Sequence, residues 1–350
     1  MKLTQRDHAH IWHPLTQHQT ARAPVGIVKA SGSVLIDEHG NSYIDGIASW
    51  YTAMFGHCNP YITQAMTKQM QTLDFVMFSG FTHEPAIELS EKLVAILPPN
   101  QQKVFFNDNG STAVEAAIKM AIQYYHNKSQ KRDTLIAFED GFHGDTFGAM
   151  SASGLSSYNG PFEDFLLKVK RIPTPQDHNL EEVLALLTTI LEQNSCAGFI
   201  FEPLVQGAAG MKFHSAKGLD ALIAKCKAHD VLCIADEIMT GFGKTGTNFA
   251  VEQLQQPPDI MCLSKALTAG MFPLSITSCT QEIFDGFLSH QVHKGFFHAH
   301  TYSAHPVGCA AAIANIELLT SPEILKKRAY IAGAHSVFAE KIQQHPAVKQ

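Results

Sequence analysis

What the sequence lacks excludes several classes of protein. It contains no run of roughly 18 uncharged apolar residues, the length that a membrane span needs, and its first residues lack the apolar core of a signal peptide. Lysine and arginine number 26 against 32 aspartates and glutamates, so the formal charge of −6 offers no basic surface for nucleic acid or anionic lipid. We therefore expect a cytoplasmic protein that acts on small molecules.

Cysteine is scarce and irregularly placed. The 7 cysteines are an odd number without regular spacing, and several of them lie within apolar runs. This pattern is typical of reduced, buried thiols rather than of disulfides or a zinc site. Apolar residues, in contrast, make up 45% of the 350 residues, which is enough for one large domain with a smaller one beside it.

Apolar, strand-like segments alternate with helical ones from Lys103 onward. The strand-like segments include KVFFND, TLIAFED, AGFIFEP and VLCIADE, and helical patterns near residues 180–192 and 216–229 separate the later ones. This alternation predicts an α/β fold with a largely parallel sheet that is buried on both faces. Because ligands bind beyond the carboxyl ends of such strands, the polar residues that follow each run should form the site.

Two polar residues follow consecutive predicted strands and organise the site. Asp236 follows the strand in VLCIADEIMTG, and Lys265 follows the strand in DIMCLSKALTAG. Such a pair suits pyridoxal phosphate, whose aldehyde condenses with a lysine and whose pyridine nitrogen stays protonated beside an aspartate. The alternative is a helix cap or magnesium ligand at Asp236 and a solvated surface lysine at Lys265.

Two further segments offer contacts for such a cofactor. Gly110 and Ser111 follow a strand and begin a long helix, where backbone N–H groups bind phosphate; the alternative is that Ser111 only caps this helix. Phe142 lies between glycines at another strand end and has room to lie flat on a planar cofactor.

Other motif matches lack the spacing that their functions require. His143 and the histidines of GFFHAHTYSAHP have no carboxylate or cysteine at ligand spacing, so we expect no metal. The sequence GFGKTG has the glycine spacing of a dinucleotide loop, but it does not turn directly from a strand into a helix.

Taken together, the motifs resemble those of the class III (ω-type) aminotransferases of pyridoxal phosphate fold type I, over essentially the whole chain. The motifs that carry this resemblance are NDNGS, GFHG, FEP, ADEIMTGFGKTG, LSKALTAG and HTY. The resemblance implies a mostly parallel mixed sheet flanked by helices in a large domain, plus a smaller α+β domain built from both chain ends. It places the large domain at 49–318 and the small domain at 1–48 and 319–350, the latter expected to be incomplete, and it implies a homodimer with active sites at the subunit interface.

The resemblance also implies roles for individual residues. Lys265 is similar to the lysine that binds the cofactor and shuttles the proton, and Asp236 to the partner of the pyridine nitrogen. Gly110 and Ser111 match the phosphate cup. Two further residues complete the implied cofactor site: Phe142 covers the ring where relatives often have tyrosine, and Thr301 reaches the phosphate from the neighbouring subunit.

Within the family, three segments resemble members that transfer an amino group from S-adenosylmethionine to 8-amino-7-oxononanoate in biotin synthesis. The segments are IWHPLTQ, ASWYTAMFGHCNP and HGDTFGAMSAS. This finer resemblance implies that Trp50 and Tyr51 form aromatic walls for the long keto acid, and that Lys244 and His300 also bind substrate. Ala208 replaces the glutamate that members acting on ornithine or 4-aminobutyrate generally carry.

Three departures leave the substrate pair open. Leu15 replaces the tyrosine usual after WHP, Lys244 stands where many relatives have arginine, and the arginine expected to bind the keto acid's carboxylate would lie beyond Gln350. The alternatives are another class III transaminase, including one that uses lysine as its donor, and a degenerate, non-catalytic fold type I protein.

Overall fold

The main body of the protein is an α/β domain around a seven-stranded sheet in the computed structural model, which describes residues 3–154, 156 and 159–348. The strands, in chain order, are β1 (Ile27–Ser31), β2 (Val34–Asp37), β3 (Ser42–Ile44), β4 (Lys103–Asn107), β5 (Thr134–Phe138), β6 (Lys168–Ile172), β7 (Cys196–Phe201), β8 (Val205–Gln206), β9 (Lys212–Phe213), β10 (Leu232–Asp236), β11 (Ile260–Leu263) and β12 (Ser275–Cys279). The central sheet has the order β4-β12-β11-β10-β7-β5-β6.

The central sheet is mostly parallel, as the sequence predicts. Strands β6, β5, β7, β10 and β11 are parallel to one another, whereas β12 runs antiparallel to both β11 and β4. Every residue of β5, β7 and β11 is buried, which fits their unbroken apolar sequences. The sequence patterns did not reveal β6 or β12.

Helices cover both faces of this sheet. Their bounds are α1 (Leu3–His10), α2 (Ala48–Tyr51), α3 (Pro60–Thr72), α4 (Glu84–Ile96), α5 (Gly110–Asn127), α6 (Phe147–Ala152), α7 (Leu180–Gln193), α8 (Ala216–Ala228), α9 (Gln281–Asp285), α10 (Pro306–Leu319) and α11 (Pro322–Ile342), with short 3-10 helices at Gly160–Phe165, Ala250–Gln253, Lys265–Thr268 and Val292–Lys294. Alternate residues of β10 point to opposite sides: Cys233 and Ala235 belong to the hydrophobic cluster that includes α7, α8 and α10, and Ile234 belongs to the cluster that includes α5 and α6.

The N-terminal segment forms a separate small sheet of β1, β2 and β3, all antiparallel. Strands β2 and β3 form a hairpin, which the segments SVLID and SYIDG on either side of Gly40 and Asn41 predict, and Gly40 provides the positive φ of 84° that the turn requires. Asp37 stabilises the turn by accepting hydrogen bonds from the backbone N–H groups of His39 and Asn41. The predicted small domain includes residues 1–2 and 349–350, which lie outside the described residues.

The segment named α2 is a left-handed turn rather than an ordinary helix. Its four residues, Ala48, Ser49, Trp50 and Tyr51, have φ values of 48°, 45°, 64° and 68°. Left-handed backbone costs roughly 1–2 kcal/mol for each residue that has a side chain. The surrounding structure must therefore supply contacts that hold this turn.

Two observations bear on the surroundings of the protein. Within the described ranges, every helix is too short or too polar to span a bilayer. The cysteines of the same ranges are free thiols, and all of them except the exposed Cys58 are buried, as their apolar sequence context predicts.

Candidate active site

A cavity of about 640 Å³ opens at the carboxyl ends of the central strands. It brings together most of the residues that the sequence nominates. The lining includes Trp50, Tyr51, Gly110, Ser111, Phe142, Asp236 and Lys265, together with Leu15 and Ala208. The topology rule for parallel sheets thus locates the cavity correctly.

The register of two neighbouring strands places Asp236 and Lys265 at the same edge of the sheet. In the parallel pair of β10 and β11, Asp236 lies opposite Cys262, so Lys265 follows three residues further on. Lys265 begins a 3-10 helix with a φ of 45°, and its Nζ lies 5.6 Å from the ring centroid of Tyr51. Burial lowers the pKa of Lys265, although the charges of Asp236 and Glu202 oppose that shift.

His143 is the direct partner of Asp236. Its Nδ1 lies 2.7 Å from Oδ2 of Asp236, and both side chains are almost completely buried. Because a carboxylate only accepts, the proton of this bond belongs on Nδ1 of the imidazole. The other carboxylate oxygen accepts from the backbone N–H of Ile238 at 3.1 Å. The imidazole that the sequence suggested only as a weak metal candidate instead fixes the orientation of Asp236.

Glu202, which the sequence motifs did not single out as a site residue, connects two loops at the cavity. Its Oε1 accepts from the backbone N–H of Phe142 at 3.0 Å, and its Oε2 accepts from that of Gly207 at 2.9 Å. Burial raises the pKa of Glu202, while these two donors oppose the shift. The residue therefore holds Phe142 at the cavity wall, and its position after β7 was the available sequence signal.

Ser111 does not cap its own helix, so the capping alternative is wrong. Asn109 caps α5 instead, since its side chain accepts from the backbone N–H of Thr112. The Ser111 hydroxyl lies 2.7 Å from that of Thr146 and accepts from the Thr146 backbone N–H at 3.1 Å. Two hydroxyls thus meet at the N-terminus of α5, where the helix dipole favours an anion.

Gly144 permits this arrangement because it has no side chain. A Cβ at this position would lie 2.3 Å from the Ser111 Oγ, and the φ of Gly144 is +128°. Any larger residue must therefore displace Ser111 as well as adopt a strained backbone.

The replacement Gly144→Ala is expected to weaken cofactor binding. Loss of one hydrogen bond to a charged group costs about 1.5–3 kcal/mol, which raises the dissociation constant of pyridoxal phosphate roughly 10–150-fold. Absorbance titration of the cofactor-free protein measures this constant. Gly40→Ala is the matched control, because Gly40 has a φ of +84° but open space where its Cβ would be. Equal weakening in both variants would contradict the role of the Ser111 contact.

Trp50 and Tyr51 project from the left-handed turn α2 into the cavity wall. Trp50 is 58% exposed, so one face of its indole is available to a ligand. Phe142, which is 45% exposed, likewise presents a ring to the cavity. The cavity therefore offers large apolar surfaces beside the buried Asp236 and Lys265.

Three nominated residues are not among the described residues that line this cavity. Lys244 lines an adjoining cavity of about 490 Å³, which shares Tyr51 with the first. Its Nζ lies 3.1 Å from Sδ of Met54. Thr301 is exposed, and His300 lies within a cluster with His298, whose Nε2 is 3.1 Å from that of His300.

Comparison with known proteins agrees with this geometry. The sequence profile of the family described as "Aminotransferase class-III" matches residues 15–349. The chain belongs to the class III aminotransferases. A curated relative from Synechococcus elongatus, named adenosylmethionine-8-amino-7-oxononanoate aminotransferase, is 44% identical over 349 residues, covering 97% of this chain and 82% of the relative.

Solved structures of aminotransferases and transaminases share the fold. A Methanocaldococcus jannaschii structure bearing the same enzyme name superimposes with a TM-score of 0.88 at 36% identity, covering 93% of this chain and 76% of that one. An amine transaminase from an uncultivated Pseudomonas species, solved in its PLP-bound form, gives a TM-score of 0.84 at 28% identity, with coverages of 90% and 75%.

Class III aminotransferases use pyridoxal phosphate, and the residues of this cavity fit that cofactor. The N-terminus of α5 with the Ser111 and Thr146 hydroxyls suits the phosphate. The buried Asp236 offers a carboxylate for the pyridine nitrogen, and its bond to His143 fixes its orientation. Gly144 leaves the space around Ser111 free of a side chain.

Proposed function

We propose that this class III aminotransferase transfers the amino group of S-adenosylmethionine to 8-amino-7-oxononanoate, giving 7,8-diaminononanoate for biotin synthesis. The supporting observation is that one cavity combines Lys265 and Asp236 with the exposed aromatic ring of Trp50. The names of the similar proteins support the same substrate pair.

The proposed chemistry gives the residues of the site different roles. When bound, pyridoxal phosphate supplies an aldehyde for the amino group and a ring that withdraws electrons. Burial lowers the pKa of Lys265 and so favours its neutral amine, whose Nζ would accept the α-proton of the donor and later donate it to the carbon that is to be protonated. Asp236 would hold its negative charge at the ring nitrogen of the bound cofactor, and Gly110 and Ser111 would bind its phosphate.

The apolar walls favour a long keto acid. Burial of each methylene in such a cavity contributes about 0.8 kcal/mol, so Trp50 and Tyr51 together suit a nine-carbon chain better than a short one. Ala208 supports this choice, because it places a small apolar side chain in the cavity, at the position where members acting on ornithine or 4-aminobutyrate generally carry a glutamate.

The decisive experiment mixes the purified protein with pyridoxal phosphate and each donor in turn. The yellow colour of the loaded protein should bleach with S-adenosylmethionine and return on addition of 8-amino-7-oxononanoate, with diaminononanoate detected by mass spectrometry. Bleaching by lysine but not by S-adenosylmethionine would establish the second candidate, for which Leu15 in the cavity lining is the motivating observation. Failure to take up the cofactor would indicate a non-catalytic member.

Lys244 is proposed to bind the carboxylate of a substrate, so we expect KM to depend on pH through the charge of this side chain. Burial, followed by repulsion from Lys265, lowers the pKa of Lys244 to about 8. Lys244 is charged below that pH and neutral above it, so KM for the carboxylate-bearing donor should rise about tenfold per pH unit above the pKa. Steady-state kinetics from roughly pH 7 to about 10, a range that includes this pKa, measure the effect.

Lys244→Arg is the control for this pH effect, because a guanidinium stays charged throughout that range. The variant retains Lys265, so any titration of that second amine remains in its profile. A rise in KM that is unchanged in Lys244→Arg would contradict the assignment to Lys244.

We also propose a cytoplasmic homodimer in which Thr301 serves the site of the neighbouring subunit and His300 binds substrate. Thr301 is exposed, and several large apolar side chains are exposed too, among them Trp12 at 88%, Ile44 at 81% and Phe297 at 73%. Such surfaces mark protein interfaces. Sedimentation velocity distinguishes a dimer from a monomer.

The division of the chain into an N-terminal segment of the small domain (1–48), a large domain (49–318) and the start of the C-terminal small domain (319–350) stays a prediction.

A further inference from the structure

A carboxylate outside the cavity is bonded to the left-handed turn that carries Trp50 and Tyr51. Oδ2 of Asp45 accepts from the Ser49 hydroxyl at 2.7 Å, and the same oxygen lies 2.8 Å from Nε2 of His57. The Asp45 side chain is only 7% exposed and that of His57 18%. The group of Asp45, Ser49 and His57 is called the turn clamp below.

The turn clamp connects the turn to the N-terminal sheet. The backbone of His57 exchanges hydrogen bonds with Gly32, donating to its carbonyl at 2.7 Å and accepting from its N–H at 3.2 Å. Gly32 lies between β1 and β2. Asp45 itself donates its backbone N–H to the carbonyl of Ser33 at 2.8 Å. Both ends of the clamp are therefore fixed to one rigid element.

The arrangement of the three side chains excludes a hydrolase triad. In a triad, histidine would bridge serine and aspartate through its two different nitrogens. Here the Ser49 hydroxyl donates to Asp45 itself, and its 3.5 Å separation from His57 involves the same Nε2 that contacts Asp45. The clamp therefore orients the backbone and provides no nucleophile.

The charge of Asp45 is matched to this task. The backbone N–H and hydroxyl of Ser49 and the imidazole of His57 lower the pKa of Asp45 to about 2, so the carboxylate is ionised across the range in which enzymes work. A left-handed run of four residues with side chains persists only where its surroundings hold it. Asp45 is a charged group that bonds directly to this run, through Ser49.

We infer that Asp45 is a positioning residue: it holds the left-handed turn so that Trp50 and Tyr51 stand in the cavity wall, and it thereby sets the selectivity for a long apolar substrate. The inference about selectivity rests on the proposed function, whereas the inference about the turn does not. Release of the turn should move both aromatic rings and leave Lys265 and Asp236 in place.

The position of Trp50 can be measured without any substrate. The chain has 2 tryptophans, Trp12 and Trp50, so Trp12→Phe leaves Trp50 as the single indole. In this background Asp45→Ala should lower the steady-state fluorescence anisotropy of Trp50, because the ring is no longer held. The protein should still bind pyridoxal phosphate with its normal absorbance.

Kinetics test the consequence for substrates. Asp45→Ala should raise KM for 8-amino-7-oxononanoate about tenfold, with kcat changed less than about twofold, because the lost contacts act on binding rather than on the proton transfer. If the unmodified protein does not use this keto acid, the proposed function fails. The anisotropy of Trp50 then still decides whether Asp45 holds the turn.

Rescue and a matched control separate this role from general destabilisation. Adding Ala48→Gly to Asp45→Ala should restore anisotropy and KM, because glycine adopts the positive φ of 48° at this position without strain. Asp37→Ala is the control: Asp37 also stabilises a turn of the N-terminal sheet, but the hydrogen bonds described for its side chain go to residues 39–43 and not to the left-handed turn.

A fall in Trp50 anisotropy that Ala48→Gly reverses and Asp37→Ala does not reproduce supports the inference. Unchanged anisotropy in Asp45→Ala, or a change that Asp37→Ala equals, overturns it. If Asp45→Ala does not fold, Ser49→Ala removes the hydroxyl bond alone and should show a smaller change in the same direction; no change there overturns the inference as well.

Discussion

Lys265→Ala is expected to abolish transamination, with a fall in kcat of at least about 10⁴-fold, because the variant loses both the amine that binds the cofactor and the group that moves the proton. The side chain follows β11 at the cavity, and no other described lysine lines that cavity. Turnover with the best donor measures the effect. Borohydride reduction followed by peptide mass spectrometry should locate the cofactor on the Lys265 peptide of the unmodified protein.

The control for Lys265→Ala is Lys103→Ala. Lys103 is also partly buried, but it begins β4 and its Nζ lies 4.7 Å from the ring centroid of Phe284, away from the cavity lining. This variant should keep its colour and its activity. Reductive labelling of any other lysine, or substantial turnover in Lys265→Ala, would contradict the assignment.

Asp236→Asn is expected to lower kcat about 10³-fold or more while the protein stays folded. The amide has nearly the same shape, and its oxygen still accepts from the backbone N–H of Ile238. Its NH2 group takes the place of Oδ2 and donates to Nδ1 of His143, whose proton then sits on Nε2, so both contacts survive with one of them reversed. The negative charge is lost, however, and with it the electrostatic support for a protonated ring nitrogen. Single-turnover kinetics with a donor amine measure the chemical step directly.

The neighbouring Glu237 provides a matched control. Glu237 is fully buried, and it accepts hydrogen bonds from the Thr240 hydroxyl and from the backbone N–H of Val251, but it does not line the cavity. Burial raises its pKa to about 7, so much of the population is already uncharged at neutral pH. Glu237→Gln should therefore cost far less activity than Asp236→Asn. Equal losses would show that the effect of Asp236 is merely structural.

The sequence predicts those features that depend on local pattern and on strand direction. The hairpin between β2 and β3 follows from its turn residues, and the long helix α5 follows from its apolar periodicity. The meeting of Asp236 and Lys265 follows from a topological rule, since the carboxyl ends of parallel strands share one edge.

Features that depend on tertiary contacts are invisible in a single sequence. The five residues of β12 follow Pro273 closely and resemble a loop, yet all five are buried between β4 and β11. The left-handed turn α2 contains no glycine, so the local residue propensities do not predict it. His143 is 93 residues from Asp236, and only the folded sheet reveals that the imidazole serves the carboxylate.

The antiparallel strand β12 also has a consequence for the order of folding. It separates β4 from β11 and pairs Ser275 with Asn107, so the first strand of the central sheet gains its neighbour only after more than 160 further residues have been made. During synthesis the backbone N–H and C=O groups of β4 have no strand partner until β12 has been made, and contacts between such distant segments slow folding. We expect the core of β5, β7 and β10 to collapse first, with β4 joining last when β12 inserts beside it.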